Sequence, residues 1–300
     1  MEKYNVVFAT DENYVQHVAV ALVSLLKNNQ DINITINYIL DEISNINKDK
    51  LINIASKYER NINFFTLGEF DLEYATTSFH FNKAVYFRLV MADTLPLEKV
   101  LYLDADVVVV GSVKYIFDLN IENNFLAAVI DPGFSRHNSL NMIDEAAYFN
   151  AGVFFANLNY WRTHRVKNKC LQFMHDNYAA IELADQDVLN SVVNGNWVQM
   201  PAQYNQQSVF FEPNFENIYK CILQSEIDLA LKNPVIIHYS GSSKPWHFRN
   251  AHPQKALYWK YRQETPFSAY LPDDLTLLNI IKWSIPKFVN SFLKYVVGQH

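Results

Sequence analysis

Apolar positions along the first two-thirds of the chain switch repeatedly between two spacings. Residues 4–10 form a short apolar run that stops at the polar turn Asp11-Glu12-Asn13. Over 15–26, Val15, Val18, Ala19, Leu22, Leu25 and Leu26 recur at helical intervals. Residues 32–40 alternate Ile32, Ile34, Ile36 and Tyr38, the period of a strand. A polar helix is predicted over 44–58, a short strand over 62–65 and a helix over 82–91. Residues 100–103 read as a buried strand ending in Asp104-Ala105-Asp106, and 107–110 continue apolar. Strands are predicted at 125–130, ending at Asp131, and at 153–158, preceded by Asn150-Ala151-Gly152. Helices are predicted over 160–177 and 186–193. A last central-type strand, 234–237, runs into His238.

Strands alternating with helical stretches of this length predict an α/β fold, a mostly parallel mixed sheet flanked by helices. Ligands of such sheets sit beyond the carboxyl ends of the strands. Asp11, Asp104, Asp106, Asp131 and His238 all fall there. No Gly/Ser linker or repeat divides the chain, so residues 1–262 are expected to form one domain and 263–300 a tail. Beyond Leu275 the tail carries Lys282, Lys287 and Lys294 and no acid. Phe288, Val289, Phe292, Leu293, Val296 and Val297 fall on one helical face there. Such an amphipathic helix either packs on the domain or lies on an anionic membrane surface.

Composition narrows the function. With 25 basic and 31 acidic residues the net charge is −6, which argues against a general nucleic-acid binder. Two cysteines without a CxxC pair make neither a disulfide framework nor a structural zinc site. No apolar stretch reaches the ~18 residues of a spanning helix, and the N-terminus lacks a signal-peptide pattern. The expected location is the cytoplasm, or the inner face of the cytoplasmic membrane if the tail binds there.

Three clusters carry candidate chemistry. Asp104 and Asp106 flank one small residue at the end of a buried strand. Two such carboxylates repel unless a cation joins them, and an oxygen-loving Mn²⁺ or Mg²⁺ does so while keeping positions open for phosphate oxygens. His238 leads into a small loop with Gly241 and Lys244, the chemistry of a phosphate cradle, and imidazole suits Mn²⁺ as a third protein ligand. Asp185-Gln186-Asp187 opens a helix, where one acid is explained as a cap but not both. Arg88, beside Tyr86 and Phe87, faces either solvent or an anion.

Together these residues resemble glycosyltransferase family eight, the retaining nucleotide-sugar transferases that include bacterial lipopolysaccharide galactosyl- and glucosyltransferases. The resemblance rests on the runs Phe8–Tyr14, Tyr86–Leu89, Val100–Val107, Phe149–Val153, Asp185–Asn190 and His238 through His247, in that order, across roughly residues 4–262. It implies a GT-A type fold. It further implies that Ala9, Asp11, Asn13 and Tyr14 meet the uracil and ribose of a UDP-sugar. Asp104, Asp106 and His238 would hold Mn²⁺, with Ala105 between the acids, and Gly241 and Lys244 would hold the phosphates. Arg88, Asn150, Ala151, Asp185 and Gln186 would surround the donor sugar, and Asp131 would lie near the acceptor. The acceptor implied is a glycan or glycolipid such as lipopolysaccharide.

Asp185 and Gln186 are the candidates for the reacting face of the sugar. A double displacement needs a carboxylate beneath the ring, and a carboxamide is a poor nucleophile. Front-face attack is therefore favoured, with the departing phosphate oxygen taking the acceptor proton. Two rival readings remain open at this level. A haloacid-dehalogenase-like phosphohydrolase also uses Asp-x-Asp after a buried strand, with a second acidic pair, here only Asp273-Asp274. A catalytically silent sugar-binding scaffold would keep the fold without turnover.

Overall fold

The computed structural model describes residues 3–40, 42–66, 83–213, 215, 221–272 and 274–284. Seven strands build the main sheet: β1 Tyr4–Ala9, β2 Ile34–Leu40, β3 Ile62–Thr66, β4 Lys99–Leu103, β6 Leu126–Ile130, β7 Phe149–Asn157 and β8 Trp197–Gln199. Their order is β3-β2-β1-β4-β7-β6-β8. The pairings β3-β2, β2-β1, β1-β4 and β6-β8 are parallel, whereas β7 runs antiparallel to both β4 and β6. The sheet is thus mostly parallel and mixed, as the alternation of elements predicted.

Both faces are buried, and the period of two explains how. Val6 and Phe8 of β1, Leu101 and Leu103 of β4, and Val153 and Phe155 of β7 join one apolar core. That core is shared with α1, Val15–Lys27, and α2, Asn45–Lys57. The intervening residues Val7, Ala9, Val100, Tyr102, Phe154 and Ala156 join a second core on the opposite face. The helices there are α3 Lys83–Thr94, α4 Leu158–Thr163, α5 Val166–Asn177 and α6 Ala184–Val193. Further helices among the described residues are α7 Gln224–Lys232, α8 Lys255–Arg262 and α9 Leu277–Ser284, with a single helical turn at Lys114–Phe117.

Several expectations need correction. The final strand is not central. Residues 107–110 and 234–237 instead give a separate three-stranded sheet of β5 Val107–Val109, β10 Ile236–His238 and β9 Gln206–Gln207, with β10 antiparallel to β5. The turn Asp104-Ala105-Asp106 is what passes the chain from one sheet to the other, and short apolar runs do not reveal which sheet they join. His238 consequently lies on β10 itself, opposite Val107. β7 begins at Phe149, so Asn150, Ala151 and Gly152 are strand residues rather than a lead-in. The helix expected over 160–177 breaks in two at Arg165, whose φ of 54° is left-handed. That conformation ends α4 in the manner of a C-terminal cap.

The chain after α8 lies against the domain as far as Asp274. The carboxylate of Asp274 accepts the N–H groups of Phe248 and Arg249, and Arg262 donates to the Phe267 carbonyl. On α9, Leu277, Leu278, Ile280 and Ile281 are exposed. The apolar face expected over 288–297 lies outside the described residues. Among the described residues no helix is long and apolar enough to cross a membrane.

Candidate active site

Asp104 follows β4, held by its backbone N–H to the Gly152 carbonyl of β7 at 2.9 Å. Tyr102 and Asp104 are two residues apart in extended chain and share a face. The Tyr102 hydroxyl therefore donates to Asp104 Oδ1 at 2.7 Å. Arg88 reaches the same oxygen from α3 at 2.6 Å, while its Nη1 lies 2.6 Å from Asp185 Oδ2 and donates to the Ala151 carbonyl. Its guanidinium also sits 4.7 Å over the Tyr102 ring. Arg88 is thus an internal counter-ion joining two acids that are distant in sequence, not a solvent-facing charge. Burial would lower its pKa, but Asp104 and Asp185 outweigh it and hold the guanidinium firmly charged. Burial pushes the Asp185 carboxyl up to about 6 against the pull of Arg88.

With Asp104 Oδ1 occupied, its second oxygen faces Gly152 and the imidazole of His238. Asp104, Asp106 and His238 each offer one ligand atom, and the three atoms lie within 4.8 Å of one another. His238 Nε2 is 3.4 Å from Asp106 Oδ1, and the Lys244 ammonium contacts Asp106 Oδ2. Burial opposes the Asp106 charge, yet Lys244 and His238 override it and keep the carboxyl well below the usual carboxylate range. Burial likewise disfavours the Lys244 ammonium, and Asp106 more than compensates, so its pKa is raised.

The tautomer of His238 is fixed by a chain of amides. The Gly152 N–H donates to Asn150 Oδ1 at 3.1 Å, which makes that atom the oxygen. Asn205 Nδ2 donates to the same oxygen at 3.0 Å, so Asn205 Oδ1 is the atom facing His238 Nδ1 at 3.0 Å. A carboxamide oxygen only accepts. The imidazole therefore carries a proton on Nδ1, which leaves Nε2, the atom that faces the two carboxylates, as the one a metal would take. Two hard carboxylate oxygens and one imidazole nitrogen suit Mn²⁺ or Mg²⁺.

These residues line a cleft of about 460 Å³ that also contains Asp131, Asn150, Gln186, Gly241 and Lys244. Gln186 is pinned at both ends: its Oε1 accepts the Ala151 N–H at 2.9 Å, and its Nε2 donates to Asp131 Oδ2 at 2.9 Å. Asn150 donates to the same Asp131 oxygen, and burial raises the Asp131 pKa. Asp187 faces away from the cleft. It is fully buried and accepts from Arg136, Tyr148 and the N–H groups of Glu182 and Leu183. It thereby secures the loop that leads into α6.

Other expected residues lie outside this lining. Ala9, Ala105 and Ala151 are buried, and the Ala151 backbone is taken up by Gln186 and Arg88. Asn13 and Tyr14 line a neighbouring hollow with His17, Trp246 and Tyr270. Asp11 caps the turn at 12–14 by accepting the Asn13 N–H. Asp274 caps the backbone at 248 and 249, and Asp273, the other member of the acidic pair in the phosphohydrolase reading, lies outside the described residues. Asn205, Tyr102 and His17 were not singled out by sequence. Tyr102 stands in the Val100–Val107 run without a role given to it, whereas topology alone brings Asn205 and His17 to their places.

A GT-A type transferase is the class this fold and cleft define. The Glycosyl transferase family 8 model matches residues 5–250, and the chain belongs to that family of glycosyltransferases. The general stress protein A of Bacillus subtilis (strain 168) is 27% identical over 274 residues, 89% of this chain and 96% of that protein. A lipopolysaccharide 1,2-glucosyltransferase of Escherichia coli is 30% identical over 258 residues, 82% of this chain and 74% of that protein. The lipopolysaccharide 1,3-galactosyltransferase of Salmonella typhimurium is 26% identical over 277 residues, 89% and 80% of the two chains. Among solved structures, the galactosyltransferase LgtC in complex with donor and acceptor sugar analogs superposes with a TM-score of 0.74. It is 24% identical, covering 90% of this chain and 98% of that one.

Proposed function

We propose that this glycosyltransferase moves a hexose, galactose or glucose, from a UDP-sugar to a glycan acceptor of the lipopolysaccharide or cell-surface type, with retention of anomeric configuration. The observation that carries the reading is the convergence of Asp104, Asp106 and His238 Nε2 within 4.8 Å. That set would hold Mn²⁺ or Mg²⁺. When bound, such a cation would offset negative charge gathering on the departing diphosphate. Lys244, kept charged by Asp106, would take a phosphate oxygen, with Gly241 beside it. Their stabilisation grows as the anomeric bond breaks, which is what accelerates the step. Ala9, Asp11, Asn13 and Tyr14 are assigned to the nucleoside, with Ala105 contributing backbone. Asn150, Ala151 and Asp131 border the sugar and acceptor side.

Front-face attack fits the cleft better than double displacement. Asp185 is tied to Arg88, Asp131 takes two amide hydrogens, and Gln186 is a carboxamide held at both ends. In this reading Gln186 and Asp185 orient the donor, and the leaving phosphate oxygen accepts the acceptor proton. The relatives named as lipopolysaccharide glucosyl- and galactosyltransferases support the acceptor class.

The reading is tested by measuring UDP release with Mn²⁺ across UDP-galactose, UDP-glucose and their N-acetyl forms. One hexose donor should release UDP, and chelation should stop it. Phosphate release from simple esters with no UDP from any donor would contradict the reading. Exposed Leu277, Leu278, Ile280 and Ile281 on α9 further support a peripheral, cytoplasmic-face association of the tail with anionic lipid. Equal sedimentation of the full chain and a chain lacking 275–300 with anionic vesicles would remove that part.

A further inference from the structure

His17 lies in the first turn of α1, 4% exposed, among residues that otherwise pack as core. Its ring stacks on Trp246 with centroids 3.6 Å apart and planes 15° from parallel. Trp246 stands two residues beyond Lys244, in a turn closed by the His247 N–H to the Lys244 carbonyl. Tyr14, on the nucleoside side, packs edge-on against both rings, at 5.7 Å from His17 and 6.1 Å from Trp246. One stacked pair therefore buttresses two elements assigned to different halves of the donor.

The pair is itself anchored. Tyr258 and Arg262 sit four apart on α8 and so share a face. Arg262 Nη1 donates to the Tyr258 hydroxyl at 2.9 Å, and that hydroxyl is hydrogen-bonded to His17 Nδ1 at 2.7 Å. Burial, with the Arg262 charge nearby, keeps His17 neutral, and the Tyr258 contact holds the ring in one orientation. The Trp259 indole adds a hydrogen bond to the Pro245 carbonyl at 3.0 Å.

We propose that His17 is a positioning residue that, through its stack with Trp246, fixes the spacing between Tyr14 and Lys244 and so couples recognition of the nucleoside to capture of the diphosphate. The proposal rests on the UDP-donor reading above. His17 itself touches neither phosphate nor sugar in this account.

The test is calorimetric titration of the full chain with UDP in Mn²⁺, in a cycle of wild type, His17→Ala, Lys244→Met and the double variant. His17→Ala should bind UDP about tenfold more weakly, the order of a lost ring pair and its hydrogen bond. Lys244→Met should cost clearly less in the His17→Ala background than in wild type, because the ammonium is already misplaced. His17→Phe, which keeps a ring against Trp246, should recover most of the affinity and serves as the probe if His17→Ala does not fold. Wild-type affinity in His17→Ala, or an equal Lys244→Met cost in both backgrounds, would overturn the proposal. If wild type itself ignores UDP, the donor reading fails and takes the proposal with it.

Discussion

The backbone of Gly152 lies directly beneath the imidazole of His238. A Cβ at position 152 would fall 2.3 Å from His238 Cε1, 2.8 Å from Nε2 and 2.9 Å from Asp104 Oδ2. Glycine is required here for close approach rather than for an unusual backbone angle. Gly152→Ala should displace the imidazole, which is confined by Asn205, and weaken Mn²⁺ binding by at least about tenfold, an effect of the size seen when a ligand's orientation is lost. Equilibrium dialysis with Mn²⁺ measures it, and thermal melting reports any wider damage. Unchanged affinity would mean that the imidazole is not a ligand.

Asn205 makes a separable prediction. It is fully buried and presents its oxygen to His238 Nδ1 and its amide to Asn150. Asn205→Leu removes the group that sets the tautomer and should lower metal affinity about 10–100-fold. Asn205→Asp keeps an acceptor for Nδ1–H and should lose less. Equal losses in the two variants would show that packing, not the tautomer, is what matters.

Acid stability should report His17. Burial pushes its pKa down to about 3, with Arg262 adding to the effect, while the unfolded chain titrates near the ordinary histidine value of about 6.5. Between those values the unfolded state binds the proton more readily, so the stability His17 contributes is present above about 6.5 and lost progressively below it. Urea unfolding should therefore weaken on acidification from pH 7 to pH 5 by up to about 1.4 kcal/mol per pH unit more in wild type than in His17→Phe. Parallel curves for the two proteins would contradict the buried neutral imidazole.

The amino-acid pattern disclosed the sheet, most helices and the acids at the strand ends, because burial on both faces of a sheet imposes spacings that residues 4–40 and 100–103 display plainly. It placed Asp104, Asp106 and His238 in the running because the chemistry of paired carboxylates demands a cation. It did not disclose that Val107–Val109 and Ile236–His238 leave the main sheet, since a three-residue apolar run carries no record of its partner. Nor did it mark Asn205, whose importance lies in two amide hydrogen bonds set by topology. His17 went unmarked among the apolar positions of α1, and its stacking partner lies more than two hundred positions away in the sequence.

The central claim is that Asp104, Asp106 and His238 together grip one divalent cation. Electron paramagnetic resonance of added Mn²⁺ tests it most directly, because free and protein-bound ions give different signals without any need for acceptor or turnover. Titrated against wild type with UDP present, the account predicts one bound ion per chain, with about 10²-fold or greater weakening in Asp106→Asn and in His238→Ala, comparable to the loss of other essential electrostatic contacts. One tightly bound ion in either variant, held as firmly as in wild type, would contradict it.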